Sequence, residues 1–213
     1  MSGPGFRKDL YQGTAEHYDH FRPGYPPALV DDLRSRAELG SSARVLDLAC
    51  GTGQVAFALA GHAREVVAVD QEAGAVAYGQ RKARRLGGSP WDGEQAWQRV
   101  FHETLERWRD VTGARDRVPE GWEDPIRRDP HREVLRRAGL DYEGKVELSV
   151  HHRWTVESLT GLVYSTSFLN RPVLGPHAGA FEDDLRRRLL ACVPDGVFEQ
   201  DLTFAYELAR ASW

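Results

Sequence analysis

The chain has 213 residues, 41% of them apolar, enough to bury the core of one domain with or without a small appendage. Its formal charge of −4 gives no electrostatic footprint for a polyanion. No nucleic-acid partner is expected, and the basic runs Arg81, Lys82, Arg84, Arg85 and Arg186, Arg187, Arg188 read as solvated helix faces. The two cysteines, Cys50 and Cys192, form neither a CxxC nor a metal-ligand spacing, so no disulfide framework and no metal site are expected. "MSGPGFRKDLYQG" lacks a signal-peptide core, and no apolar run approaches the roughly 20 residues of a membrane span. A soluble, cytoplasmic protein without membrane partners is expected.

Residues 1–25 are polar, aromatic and rich in Gly and Pro, ending in "YDHFRPGYP". Pro26 and Pro27 open a helix with Leu29, Val30, Leu33 and Ala37 at helical spacing and Gly40 as its stop. "ARVLDLA" (43–49) and "EVVAVD" (65–70) read as two short buried strands joined by a glycine turn and a helix over Gln54 to Ala60. A helix from about Glu72 to Leu86 follows, so the chain begins as a βαβ unit with a right-handed crossover. From Asp92, a predicted N-cap, Trp97, Val100, Phe101, Leu105, Trp108 and Val111 form the stripe of an amphipathic helix. Residues 113–130 are loop-like, and a helix over His131 to Arg137 ends at Gly139.

Alternation of a β type returns at "KVELSVHHRW", from Lys145. Thr155 then caps a helix with Val156, Leu159, Leu162 and Val163, a second helix carries Phe181, Leu185 and Leu189, and "GVFEQDLTFAYELAR" supplies a last strand. The two C-terminal strands are expected to pair antiparallel at one edge of the sheet. The interval from Asp70 to Lys145 is 75 positions. A βαβ unit needs about 30, so two or three strands could have fitted there, yet the pattern contains none.

The chemistry concentrates in "VLDLACGTGQVAFALA" (45–60). Gly51 and Gly53 permit a sharp strand-to-helix turn and close approach of a ligand to the backbone. Asp47 aims an acceptor at the same pocket, and Asp70, 23 residues later at the end of the second strand, is placed for ribose hydroxyls. These features describe a nucleoside-bearing ligand. Gly51, Gly53 and Ala56 also satisfy GxGxxG/A, so a nicotinamide dinucleotide stays open on glycine spacing alone. Against it, the negative charge of Asp47 lies where a pyrophosphate would pass and suits an amino group instead.

"VLDLACGTGQVAFAL" followed by "VVAVD" resembles motif I and the ribose-binding acid of class I S-adenosylmethionine-dependent methyltransferases, in the small-molecule subgroup termed methyltransferase type 11. "YDHFRPGYP" resembles the helix that caps the cofactor site in that subgroup, and "HRWTVESLTGLVYSTSFLNRPVLG" resembles its C-terminal tail. The resemblance implies an α/β, Rossmann-like fold and S-adenosyl-L-methionine as cofactor. It implies that Asp47, Ala49, Gly51, Thr52 and Gly53 hold the methionine end, that Asp70 and Gln71 lie at the ribose, and that Tyr18 and Arg22 close the site. A small-molecule substrate follows from the subgroup.

The resemblance covers residues 11 to about 86 and again 89 to the C-terminus. Between them the family carries three more strands, and here Ser89, Pro90 and Trp91 follow directly on the helix after the second strand. Gly87-Gly88 therefore reads as a seam. A truncated sheet of about four strands with flanking helices is expected within one domain, 1–213. Residues 1–42 form the cap and first helix, 43–88 the cofactor-binding start, and 89–213 the helical segment and last strands. Loss of the central strands exposes sheet edges, which implies possible homodimerisation. It also admits an alternative, a catalytically inactive remnant or interaction protein.

The remaining candidates have plainer readings. His151 and His152 are adjacent on a strand and point to opposite faces, so they cannot chelate one ion from one side. His17 and His20 read as exposed, Asp183-Asp184 as a solvated helix face, Trp91, Trp97 and Trp108 as packing, and Cys50 as a small residue without an activating partner. No catalytic acid or base is identified.

Overall fold

The computed structural model describes residues 13–69, 90, 93–117 and 130–211. Helices and strands are interspersed along the described chain. Helix α1 (Ala15–Phe21) is followed by α2 (Pro27–Arg36), β1 (Arg44–Leu48), α3 (Gln54–Leu59) and β2 (Glu65–Val69). Then come α4 (Ala96–Val111), α5 (His131–Arg137), β3 (Leu140–Trp154), α6 (Val156–Tyr164), a short α7 (Arg171–Leu174), α8 (Ala178–Cys192) and β4 (Phe198–Ala211). Expected boundaries agree within a few residues for α2, β1, α3, β2, α5 and α6. The predicted helix over 72–86, the Gly87-Gly88 seam, Trp91 and Asp92 lie outside the described residues.

β1 and β2 run parallel in register, Leu46 opposite Val67 and Leu48 opposite Val69, with α3 as the crossover. β3 and β4 pair antiparallel along their whole length, from Leu140 opposite Ala211 to Trp154 opposite Phe198. Among the described residues these are two separate two-stranded sheets. The C-terminal pair therefore does not extend the edge of the first sheet, as the sequence reading expected. β3 also starts at Leu140, before the predicted Lys145. A register shift between Tyr142 and Gly144, where Gly144 has φ of +130°, lets the ladder continue past the point where simple alternation breaks.

The core sits in the C-terminal half. Trp97, Phe101, Leu105 and Trp108 of α4, Leu159, Leu162 and Val163 of α6, Phe181, Leu185 and Leu189 of α8, and Trp154, Phe198, Leu202 and Phe204 of the sheet pack into one cluster. The α4 stripe is as predicted at these four positions, whereas Val111 at its end is exposed. Its start differs too, because Gln95 is the N-cap. The Gln98 side-chain oxygen accepts from the Gln95 N–H at 3.1 Å, and the Gln95 amide donates to the Glu199 carbonyl, also at 3.1 Å. Helix and last strand are thereby tied at one point. α6 begins as predicted: the Thr155 hydroxyl accepts from the Ser158 N–H at 3.1 Å.

Asp183-Asp184 was expected to be solvated, and Asp183 is. Asp184 is buried at 5% exposure and accepts from Trp108 Nε1 at 3.0 Å, Arg107 at 2.9 Å, Arg188 at 3.0 Å and Arg187. Two members of the basic run thus compensate a buried carboxylate, which is what a charge removed from water requires. The paired histidines separate as expected. His151 meets Asp201 at the surface, and His152 lies edge-on to Trp154 at 4.3 Å.

The first sheet differs from the buried pair that its apolar run predicts. Leu46 and Leu48 are 59% and 70% exposed, and their partners Val67 and Val69 are exposed with them. One face of β1–β2 is therefore aliphatic and open, while α3 covers the other. α2 connects the two halves: Leu29 enters the core cluster, and Tyr206 of β4 donates to Asp32 at 2.7 Å. Burial and that hydrogen bond push the Tyr206 phenol up to about 12.

Candidate functional site

The turn between β1 and α3 is built by three left-handed residues, Ala49 (φ +57°), Gly51 (φ +54°) and Gly53 (φ +82°). For Ala49 this conformation costs about 1 kcal/mol or more, a strain held in place by neighbouring hydrogen bonds. Cys50 donates its N–H to the Val69 carbonyl at 3.1 Å, and Gly53 donates to the Cys50 carbonyl at 2.8 Å. The turn is thus fastened to the end of β2. A Cβ on Gly51 would meet nothing within 4 Å, so this glycine serves the backbone angle and leaves the space over the loop open. A Cβ on Gly53 would approach the Phe57 ring at 2.8 Å.

Asp47 points to the turn side of β1, where one carboxylate oxygen accepts from the Ala56 N–H at 3.0 Å. This bond draws the carboxylate toward the first turn of α3. Thr52 lies beside it at 1% exposure with its hydroxyl unpartnered, and Gln54 is 5% exposed with neither end of its amide hydrogen-bonded. Cys50 is half-buried, and its thiol donates to the adjacent Gly51 carbonyl at 3.7 Å.

The leader arrives from the other side. Phe21 packs so closely over Gly161 of α6 that any side chain there would strike its ring, and Arg22 Nε donates to Ser165 Oγ at 2.9 Å. The Arg22 guanidinium also lies over the Tyr18 ring, 5.0 Å from its centroid. Half-buried His17 sits edge-on to Tyr164 at 5.1 Å, not exposed as its sequence context suggested. Burial, and then the nearby Arg171 charge, push its pKa below the ordinary histidine value. α1 is therefore docked on the C-terminal half, and Tyr18 and Arg22 are fixed through it.

Tyr25 lies between α1 and α2. Its ring lies 6.2 Å from that of Phe204, and burial, then the Tyr18 phenol and the Asp47 carboxylate, raise its pKa. Tyr25 and Gln54 were not singled out from sequence. Tyr25 stands within the quoted leader, but Gln54 carried no signal, because glutamine opening a helix is ordinary. Asp70 and Gln71 lie outside the described residues. Among those described, Asp47, Ala49, Gly51, Thr52 and Gly53 share one turn, and no cluster of three His, Cys, Asp or Glu side chains could hold a metal ion.

The residues present fit a ligand with an amino-acid end. The turn supplies a carboxylate, an unpartnered buried hydroxyl and open space over a glycine, and a buried hydroxyl without a partner otherwise costs about 1–3 kcal/mol.

Comparison with known proteins agrees with this chemistry. Residues 45–103 match the family described as "Methyltransferase domain". A protein of Saccharomyces cerevisiae named as a probable S-adenosylmethionine-dependent methyltransferase is 29% identical over 72 residues, 33% of this chain and 24% of its own length. The 23S rRNA (uracil(1939)-C(5))-methyltransferase of Aeromonas hydrophila is 44% identical over 59 residues, 28% of this chain and 13% of its own. The chain thus spans a quarter or less of these curated relatives. A solved structure titled "a Putative Type II Methyltransferase from Anaeromyxobacter dehalogenans" superposes with a TM-score of 0.47 at 18% identity, covering 90% of this chain and 98% of that one. The segment 45–103, which holds the glycine turn and its Asp47, is thus similar to the methyltransferase domain and to part of an S-adenosylmethionine-dependent methyltransferase.

Proposed function

We propose that the protein binds S-adenosyl-L-methionine and transfers its methyl group to a small molecule. The observation that carries this is the turn: Asp47 and the buried, unpartnered Thr52 hydroxyl beside open space at Gly51. Asp47 would receive the ammonium group, Thr52 and the loop backbone the carboxylate, and Asp70 and Gln71 the ribose. Tyr18, Arg22 and Tyr25 would cover the ligand from the leader. When bound, the cofactor supplies an already activated sulfonium methyl group. The chain's own work is then to hold the acceptor in line with it and exclude water, which needs no catalytic acid or base.

Charge supports a small molecule over RNA as acceptor. The chain carries −4, and Arg187 and Arg188 are engaged with Asp184. Calorimetric titration of the full chain with S-adenosylhomocysteine should show saturable heat in the micromolar range; no heat at high micromolar ligand sinks the proposal.

A second reading, a non-catalytic remnant that self-associates, draws on the exposed β1–β2 face and on β1 having β2 as its one strand partner among the described residues. A homodimer through this region would cover Leu46 and Leu48. Sedimentation equilibrium distinguishes the readings: a monomer that turns over methyl groups ends this one.

A further inference from the structure

We propose that His17 is an acid-sensitive latch for α1: protonation of its imidazole weakens the docking of this helix, and with it Tyr18 and Arg22, on α6. The latch stands on the α1–α6 contact alone. Only its effect on ligand binding rests on the cofactor reading above.

The contact brings the imidazole against α6. Phe21 fills the space that a side chain at Gly161 would need, and Arg22 Nε donates to Ser165 Oγ at 2.9 Å. His17 lies one helical turn before Phe21 and on the same face. Its ring stacks on that of Phe21 at 5.9 Å and meets Tyr164 of α6 edge-on at 5.1 Å. Its Nδ1 is buried and has no hydrogen-bond partner. A neutral imidazole can leave that nitrogen as an acceptor, whereas protonation turns it into a buried donor with nothing to accept from it.

The charges around the ring oppose protonation as well. Arg171 of α7 sits over the same Tyr164 ring, 4.9 Å from its centroid, so a charged His17 would be the second cation against one phenol. Glu182 of α8 could compensate, but its Oε1 already accepts from the Tyr164 hydroxyl at 2.5 Å and from Arg171 at 2.9 Å. On α1 itself Glu16 favours the cation and His20 opposes it. Burial first, then Arg171, leave the His17 pKa below 6.5 in the docked helix. A docked value below the free one means that docking is untouched well above pH 6.5 and weakens as pH falls below it, the loss being complete under the docked value.

The test is hydrogen exchange by mass spectrometry on the full chain without ligand, from about pH 7.5 to about pH 5. Protection of α1 amides is read against that of α6 after correction for intrinsic rates. In the parent, α1 protection should fall about threefold or more relative to α6. His17→Phe keeps a ring against Phe21 and Tyr164 but takes no proton, so its α1 protection should stay level; His20→Gln should follow the parent. An unchanged parent, an equal fall in His17→Phe, or abolition of the fall by His20→Gln overturns the latch. Where His17→Phe fails to dock α1 even at the higher pH, Arg171→Gln decides. Removing that cation raises the docked pKa and should shrink the fall, and a fall equal to the parent's overturns the proposal. Titration with S-adenosylhomocysteine at both pH values reads the consequence: affinity should drop with acid more in the parent than in His17→Phe, and equal drops overturn the link between α1 and the site. A parent that binds none of the compound overturns the cofactor reading and leaves the exchange result standing.

Discussion

Among the described residues the two sheets have the same strand count and opposite surroundings. β3–β4 is long, antiparallel and backed by α4, α6 and α8, so its inward face holds Trp154, Phe198, Leu202 and Phe204 within the core cluster. β1–β2 is short and parallel, with α3 on one face and four exposed aliphatic residues on the other. The buried core therefore resides in the C-terminal half, and the proposed binding turn in the lightly covered N-terminal sheet. A turn with three left-handed residues and unpartnered polar groups is tolerated because the rest of the molecule is anchored elsewhere.

The contrast can be broken at several points. The largest effect is expected at Phe101, fully buried at the centre of α4. Phe101→Ala should remove about 3–5 kcal/mol of stability in urea unfolding, and a loss under 1 kcal/mol would place the core elsewhere. Next comes Asp184→Ala, which strands the Trp108 N–H and frees arginines that are themselves partly exposed. Discounting the exposed partners, about 2 kcal/mol should be lost.

Asp184 also sets an acid limit. Its burial opposes the charged form, but the hydrogen bonds from Trp108, Arg187 and Arg188 outweigh this and hold its carboxyl below the ordinary value of 3.8. A folded pKa below the unfolded one means the contribution is complete above about pH 4 and is lost as pH falls through the folded value. Urea midpoints of the parent should therefore drop faster below pH 4 than those of Asp184→Ala. Parallel curves would count against the assignment.

Smaller effects belong to the N-terminal sheet. Gly53→Ala forces a Cβ into a left-handed position and against the exposed Phe57 ring, costing about 1 kcal/mol and weakening ligand binding more than it lowers the melting point. Leu48→Ser should change stability by no more than about 0.5 kcal/mol, because the side chain is already 70% exposed. A larger loss would mean that this face is covered in solution, and sedimentation of the same variant would then show a fall in mass if the cover is a second copy.

Periodicity and caps made the helices legible. The α4 stripe of Trp97, Phe101, Leu105 and Trp108, the Thr155 cap and the span of α5 follow from local spacing, since a helix buries the face its sequence repeats. The glycine turn was legible for the same local reason, as only particular residues permit its backbone angles. Burial of β1–β2 was misread because an apolar run says what a strand could cover, not whether a layer is there to cover it. Asp184 was misread because its partner Trp108 lies 76 residues away along the chain.

By itself the sequence determined the elements and the chemical character of the turn: its left-handed glycines, the acceptor at Asp47 and the family signature carried by residues 45–60. Only the tertiary structure decided that the described strands form two sheets, that α1 docks on α6 through Phe21 and Gly161, that Tyr25 lies near Phe204 of β4, and that Gln54 is buried with its amide unpaired. Local geometry is written in neighbouring residues. Whether a polar or apolar group finds a partner depends on segments distant in sequence, and that is settled only when they pack.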